Sequence, residues 1–273
     1  EAHANLGFSL SYLKAEEFSE ALAKNYLDVL DFGTVVRPLD IANPIVTLLK
    51  HHDTIKEVIC CMQQNKLQDL AFKFCIRLSE IPLFIKFLEV CPIPDLEIES
   101  VLRELRRILL MVRHKSSTNT NLLPFQNALA LQCFNNEFIY EETEEEALAV
   151  KSLEASLKRS FSNNKALSLH DIACLASYRP LYDYPWAADI SPTAALELLF
   201  KRQVMEIKQE ITLKKSITRL NSIKDDISLA VREQYEENPY PRWINTRLET
   251  QPLGIKQVIG QQELQVTDKI TNL

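Results

Sequence analysis

The chain has 273 residues, of which 46% are hydrophobic and 25% are charged, and its formal net charge is −6. This length and composition allow an extensive core and exclude wholesale disorder. The acidic balance argues against non-specific nucleic-acid binding, because phosphate contact requires a concentrated basic surface. We therefore expect a globular protein that does not bind nucleic acid.

Glycine is scarce, and its distribution excludes several kinds of site. The chain has four glycines, and residues 34–253 contain none. Phosphate-binding loops use glycine because only glycine lets the backbone approach the ligand closely at positive φ, so a P-loop or a G-x-G-x-x-G fingerprint is excluded there. Few runs of alternating β-branched residues occur. The sequence therefore predicts an all-α fold, an irregular helical bundle or array.

The cysteines and the apolar runs indicate which compartment the protein occupies and whether it crosses a membrane. The six cysteines lack Cys-x-x-Cys spacing and are predicted to be buried thiols in a reducing, cytoplasmic compartment, with no metal site. The longest uncharged run, 116–136, is too rich in Ser, Thr, Asn and Gln to cross a bilayer. We expect no membrane as a partner.

Residues 1–40 predict a helical hairpin. Two amphipathic segments, Ala2-His-Ala-Asn-Leu-Gly-Phe8 and Phe18-Ser-Glu-Ala-Leu22, flank a turn near Lys14. A Leu-Gly pair followed by aromatic-x-x-Ala resembles the tetratricopeptide repeat, although Gly7 and Ala21 are about two residues too far apart for it. The hairpin is interpreted as the last repeat of an array, with an ordinary helical hairpin as the alternative.

Short helices are predicted next, over 41–50, 54–63 and 66–78. In the third, apolar residues at i, i+3, i+4 and i+7 place Phe74 and Leu78 in the core. Acidic residues then begin a helix from about Asp95 to Val112.

This helix and the residues after it contain the one dense basic cluster: Arg103, Arg106, Arg107, Arg113, His114 and Lys115. Cations near a helix C-terminus oppose the dipole, and Glu97, Glu99 and Glu104 lie close enough to pair with them. We interpret the cluster as structural, with nucleic-acid binding as the alternative.

The second half of the chain begins with a polar linker near 116–121. The segment 122–140 predicts a nearly apolar helix, buried on most sides, that ends around its asparagines. The acidic residues Glu141, Glu142, Glu144, Glu145 and Glu146 then lead a helix to about Phe161, and we interpret them as a solvated helix start rather than a metal site. Ser168 and Asp171 fit a helix cap, which makes His170 structural.

A stiff aromatic arm is predicted near the end of the chain. Val231, Tyr235 and Asn238 fall on one helical face. Pro239 and Pro241 then end the helix and force extended geometry, because each restricts the residue before it. The arm presents Tyr240, Arg242 and Trp243.

The segment Arg232–Trp243 resembles the one that precedes the S-adenosylmethionine-binding domain in bacterial proteins that join tetratricopeptide repeats to a class I methyltransferase. Four other stretches resemble the helical region of that family: Cys91-Pro-Ile-Pro-Asp-Leu-Glu97, Leu123–Phe134, Glu141–Glu146 and Cys174-Leu-Ala-Ser-Tyr178. The glycine-rich cofactor loop of the family has no counterpart before Leu273. Gly254 and Gly260 lack the required spacing.

The resemblance implies three parts: a repeat-like hairpin (1–40), a regulatory or substrate-presenting helical domain (41–230) and a connector to a methyltransferase domain (231–273). It implies that S-adenosylmethionine is the cofactor of the parent protein, and that this chain alone has no cofactor and no catalytic residues. Residues Tyr235, Asn238, Pro239, Tyr240, Pro241, Arg242 and Trp243 would dock that domain in cis or cover its cofactor. The expected function is to position a protein or peptide partner. The alternative is a freestanding protein-binding scaffold.

Overall fold

A computed structural model describes residues 2–33, 36–116 and 120–217, together with Asp225, Leu229, Val231 and Arg232. Every regular element in this part of the chain is helical, which confirms the all-α prediction. The main helices are α1 (Ala2–Ser11), α2 (Glu20–Phe32), α3 (Ala42–Lys50), α4 (Asp53–Gln63), α5 (Leu67–Ser79), α6 (Pro82–Val90), α7 (Leu96–Met111), α8 (Arg113–Ser116), α9 (Leu123–Asn135), α10 (Glu144–Ser162), α11 (Leu169–Ala176), α12 (Glu197–Phe200) and α13 (Glu206–Ser216).

Side-chain caps fix where several helices begin. Asp95 accepts a hydrogen bond from the Ile98 amide (3.0 Å) at the start of α7. Ser168 accepts one from the Asp171 amide (3.3 Å) at the start of α11, as the sequence predicted. These bonds satisfy amides that have no partner within the helix, so the starts of α7 and α11 follow from local sequence.

The predicted N-terminal hairpin is formed by α1 and α2. The Tyr26 hydroxyl donates to the Leu10 carbonyl (3.0 Å), and Gly33 ends α2 in the left-handed region at φ 70°. Gly7 lies against the segment after α2, where an added Cβ would stand 2.1 Å from Cγ2 of Val36. The close approach of α1 therefore requires glycine at this position.

The helices enclose two hydrophobic cores. The first core lies among α1–α7 and includes Phe74 and Leu78, both fully buried as predicted. The second core lies among α10, α11, α12 and the turns between them. Helix α9 contributes to both, with Leu129 in the first core and Leu131 in the second. The prediction that this helix is buried on most sides is confirmed.

Polar side chains of α9 donate hydrogen bonds to backbone carbonyls at the end of α6. The Asn135 amide donates to the carbonyls of Leu88 (3.3 Å) and Glu89 (3.1 Å). In the amide orientation that satisfies both of its groups, Gln132 donates to the Cys91 carbonyl (2.8 Å) and accepts from the Ile93 amide (3.0 Å). The last carbonyls of a helix have no partner within it, so these bonds also fix how α6 and α9 pack.

The second core is closed by irregular helical turns. Short 3₁₀ turns occupy Leu181–Asp183 and Pro185–Asp189, and a π-helical turn, Lys201–Met205, joins α12 to α13. Within the π turn, the fully buried Gln203 accepts from the Leu181 amide (3.1 Å) and donates to the carbonyls of Ala176 (3.1 Å) and Ala130 (3.3 Å). One side chain thus ties three separate segments together.

Four cysteines are buried as predicted: Cys75, Cys91, Cys133 and Cys174. Cys61 is half-buried and Cys60 is exposed, so the prediction of buried thiols is wrong for Cys60. It lies on the outer face of α4, where the Gln64 amide donates to its sulfur (3.2 Å).

Among the helices described above, none combines the length and apolarity that a bilayer crossing requires.

A candidate binding groove beside helix α10

The main candidate site is a groove between the C-terminal half of α10 and the 3₁₀ turn Pro185–Asp189. Its volume is ≈ 560 Å³. The residues that line it are Lys151, Glu154, Ala155, Lys158, Phe161, Ser162, Tyr184, Pro185 and Trp186. The helical residues recur at i, i+3, i+4 and i+7, so the groove follows one face of α10.

Two aromatic side chains, that of Trp186 in this turn and that of Tyr184 just before it, form the floor of the groove. Trp186 is buried, and its ring centroid lies 5.4 Å from that of the half-buried Tyr184. The Tyr184 hydroxyl donates to Oε1 of Glu154 (2.5 Å), which fixes the turn against α10. Burial and the neighbouring Glu154 carboxylate both raise the pKa of Tyr184, so the phenol stays protonated as a donor. The floor is therefore apolar and anchored in place.

Two lysines form the rim. Lys151 and Lys158 are exposed, and in the described part of the chain neither takes part in an ion pair. Glu154 lies between them on the same face, where its carboxylate accepts the Tyr184 hydrogen bond. The rim consequently has an excess of positive charge on a chain whose net charge is −6.

A buried charge network holds the start of α10. Arg106 of α7 is 1% exposed, and its guanidinium lies over the Tyr178 ring, 4.2 Å from the centroid. It donates to the Glu141 carbonyl (2.8 Å) and stands 3.7 Å from Oε1 of Glu146. The Tyr178 hydroxyl donates to the same carboxylate oxygen (2.7 Å). Helices α7 and α10 and the end of α11 are thus joined through buried polar groups.

Glu146 also completes a capping box with Thr143. Its side chain accepts from the Thr143 amide (2.9 Å), and its own amide donates to the Thr143 hydroxyl (3.2 Å). Burial alone would raise the pKa of Glu146, but the hydrogen bonds from Thr143 and Tyr178 and the charge of Arg106 outweigh burial and lower it. The carboxylate therefore stays ionised inside the protein.

The acidic run at the start of α10 was predicted to be solvated, and this is wrong for Glu146. Burial of Glu146 follows from its partners on α7 and after α11, which lie far away in sequence. Glu142 is also engaged, in a bidentate ion pair with Arg179. Glu141, Glu144 and Glu145 are exposed, as expected.

The basic cluster of α7 is divided among different environments. Arg107 pairs with Glu104 (2.7 Å) as predicted, whereas Arg106 is buried in the network. The prediction that Glu97 pairs with the arginines of its own helix is wrong, because this carboxylate bonds Lys50 of α3 (2.5 Å). Burial of Arg106 therefore separates it from the exposed cations of the cluster, such as Arg103.

His170 has the predicted structural environment. It is buried on α11, and its Nδ1 lies 2.6 Å from Oε1 of Gln126 on α9. Burial lowers the pKa of the imidazole despite the opposing charge of Asp171, so the ring is neutral near pH 7. Within the described ranges, no three His, Cys, Asp or Glu side chains converge as metal ligands do.

The arm predicted from the sequence, Tyr235 and Asn238 to Trp243, lies outside the described residues. The groove, by contrast, was missed. One signal was present: Tyr182-Asp-Tyr-Pro-Trp186 concentrates aromatic residues around a proline, and tyrosine and tryptophan combine a large apolar surface with a polar group.

Comparisons of the chain with protein-family models, with curated proteins and with solved structures found no match. A function for this chain must therefore be inferred from its own residues.

Proposed function

We propose that this chain is a non-catalytic helical interaction module that positions a protein or peptide partner for a S-adenosylmethionine-dependent methyltransferase. The observation that carries the partner-binding part is the groove beside α10. It combines a buried aromatic floor with polar groups at the rim, which is the composition of surfaces that bind peptides.

The rigidity of the groove supports this role. The Tyr184–Glu154 hydrogen bond fixes the floor of the groove to α10, and the Arg106–Glu146 network fixes α10 to α7. A preformed groove loses little conformational entropy when it binds, so even a short peptide retains useful affinity.

The methyltransferase part of the proposal rests on the resemblance of Arg232–Trp243 and of the helical stretches quoted above. In it, Tyr235, Asn238 and the segment Pro239–Trp243 dock the module onto the catalytic domain, and that domain binds S-adenosylmethionine. The test is the coding sequence that follows Leu273. A buried strand followed by G-x-G spacing soon after that point is expected, and a continuation without one would refute the connection to a methyltransferase.

Selection from a random peptide library tests partner binding. Peptides selected on the immobilised chain should lose binding when Ala155→Trp fills the groove, because this exposed alanine lines it. The matched control is Ser152→Trp, which adds the same bulk at an exposed position of α10 outside the groove. Circular dichroism should show equal helix content in both variants. Selected peptides that bind both variants equally would place the binding surface elsewhere.

A further inference from the structure

We infer that the groove beside α10 selects an acidic, extended peptide segment that carries an apolar residue between two carboxylates. This inference rests on the proposed function and specifies the chemistry of the partner. Three features of the groove carry it: the aromatic floor, the spacing of the rim lysines and the openness of the cleft.

The floor determines what lies between the charges. Trp186, Tyr184 and Phe161 offer ring surfaces to an occupant, and the one carboxylate between the lysines, that of Glu154, already accepts a hydrogen bond from Tyr184. An apolar side chain or a proline ring removes this surface from water without leaving a polar group unpaired. The centre of the bound segment is therefore apolar.

The rim determines the charge and the spacing. Lys151 and Lys158 are seven residues apart on one helix, which separates them by about 10 Å along its axis at 1.5 Å per residue. In a polyproline II segment, residues three apart share a face and lie about 9 Å apart. Carboxylates at positions i and i+3 of such a segment would match both lysines, while residues between them contact the floor.

The openness of the groove favours a peptide over a small molecule. Ala155, Ser162 and Pro185 line the groove and are exposed, so it is a trough rather than an enclosed cavity. Sites for small molecules bury most of the ligand surface. A trough along a helix face instead suits a chain that enters at one end and leaves at the other, and aromatic-lined grooves bind polyproline II segments in this way.

The test uses fluorescein-labelled peptides and fluorescence anisotropy with the intact chain. The probe repeats the pattern Glu-Phe-Pro-Glu, and the comparison peptides replace Glu with Gln or with Lys. We expect the acidic peptide to bind roughly tenfold more tightly than the Gln peptide, and the Lys peptide to bind most weakly. Binding of the acidic peptide should weaken as salt is added, because the lysines are exposed.

Charge variants locate the effect. The double variant Lys151→Glu with Lys158→Glu should bind the acidic peptide about tenfold or more weakly than the unchanged chain does. It should bind the Lys peptide more tightly, because both charge contacts change sign. The matched control is Lys24→Glu with Lys56→Glu, which changes the net charge equally at exposed positions of α2 and α4. This control should bind the acidic peptide nearly as the unchanged chain does.

The possible failures have different meanings. If the Gln peptide binds as tightly as the acidic one and the Lys151/Lys158 variant binds both normally, the acidic specificity is refuted while peptide binding in the groove stands. If indole-3-acetate alone displaces the peptide at equal concentration, the occupant is a small aromatic acid and the peptide assignment is refuted. If all three peptides fail to bind while library-selected peptides bind and lose binding in Ala155→Trp, the acidic pattern is refuted and partner binding in the groove stands. If no selected peptide loses binding in Ala155→Trp, partner binding in the groove is refuted as well.

Discussion

The core among α1–α7 and the core among α10–α12 differ in where they place charge. In the first, ion pairs such as Lys86–Asp31 and Arg77–Glu57 lie at the surface, around an interior of aliphatic and phenylalanine side chains. At the edge of the second core, Arg106 of α7 pairs with Glu146 of α10, and their side chains are only 1% and 3% exposed. The first core is therefore sensitive to lost volume, and the second to lost partners.

The largest expected effect is a cavity in the first core. Phe87 is fully buried on α6, and Phe87→Ala should lower the free energy of unfolding by about 4 kcal/mol, since it removes buried surface and leaves a void. Urea unfolding followed by circular dichroism measures this. Phe8→Ala is the control: Phe8 is 67% exposed, so this substitution should lower the free energy of unfolding by well under about 1 kcal/mol. Equal losses would mean that α6 is not packed as described.

A somewhat smaller effect is expected when the buried charge pair is broken. Arg106→Met preserves much of the side-chain volume but leaves the Glu146 carboxylate without its cation and the Glu141 carbonyl without its donor. This substitution should lower the free energy of unfolding by about 3 kcal/mol. Arg103→Met makes the same change on the exposed face of α7 and should be nearly neutral. If urea unfolding shows the two variants to be equally stable, the network does not hold α7 to α10.

The smallest expected effect is on how the free energy of unfolding depends on pH. Because the folded protein lowers the pKa of Glu146 below its ordinary value of 4.5, the carboxylate contributes stability above that value, and the contribution is lost as the pH falls through the folded pKa. Glu146→Gln should remove about 1 kcal/mol of the difference in unfolding free energy between about pH 7 and about pH 3. Glu145→Gln, at an exposed position of the same turn, keeps the Glu146 carboxylate and should retain that difference.

Local signals in the sequence predicted much of the fold. Asp95 and Ser168 mark helix starts because a cap needs only residues within one turn, and Phe74 falls in the core because its stripe repeats with the helix. Burial of Arg106 and Glu146 could not be predicted in this way. Each is acceptable inside the protein only because of the other and of Tyr178, and these three residues lie on separate elements.

The groove was missed for the same reason. Lys151 and Lys158 have the ordinary pattern of a solvated helix face, and nothing near them in sequence indicates an aromatic floor. The floor comes from Tyr184 and Trp186, roughly 30 residues later, and its position depends on the hydrogen bond to Glu154. Sites formed where a helix meets a distant turn require the tertiary structure.

The π-helical turn at Lys201–Met205 sets the rotational phase of everything that follows it. A π turn contains one residue more than the corresponding α turn, and one residue corresponds to about 100° of rotation around a helix. Removing one residue there would turn the buried Ile207 away from the interior and withdraw Gln203 from the three segments that it joins. A one-residue gap at this point in a relative would therefore indicate that α13 packs through a different face.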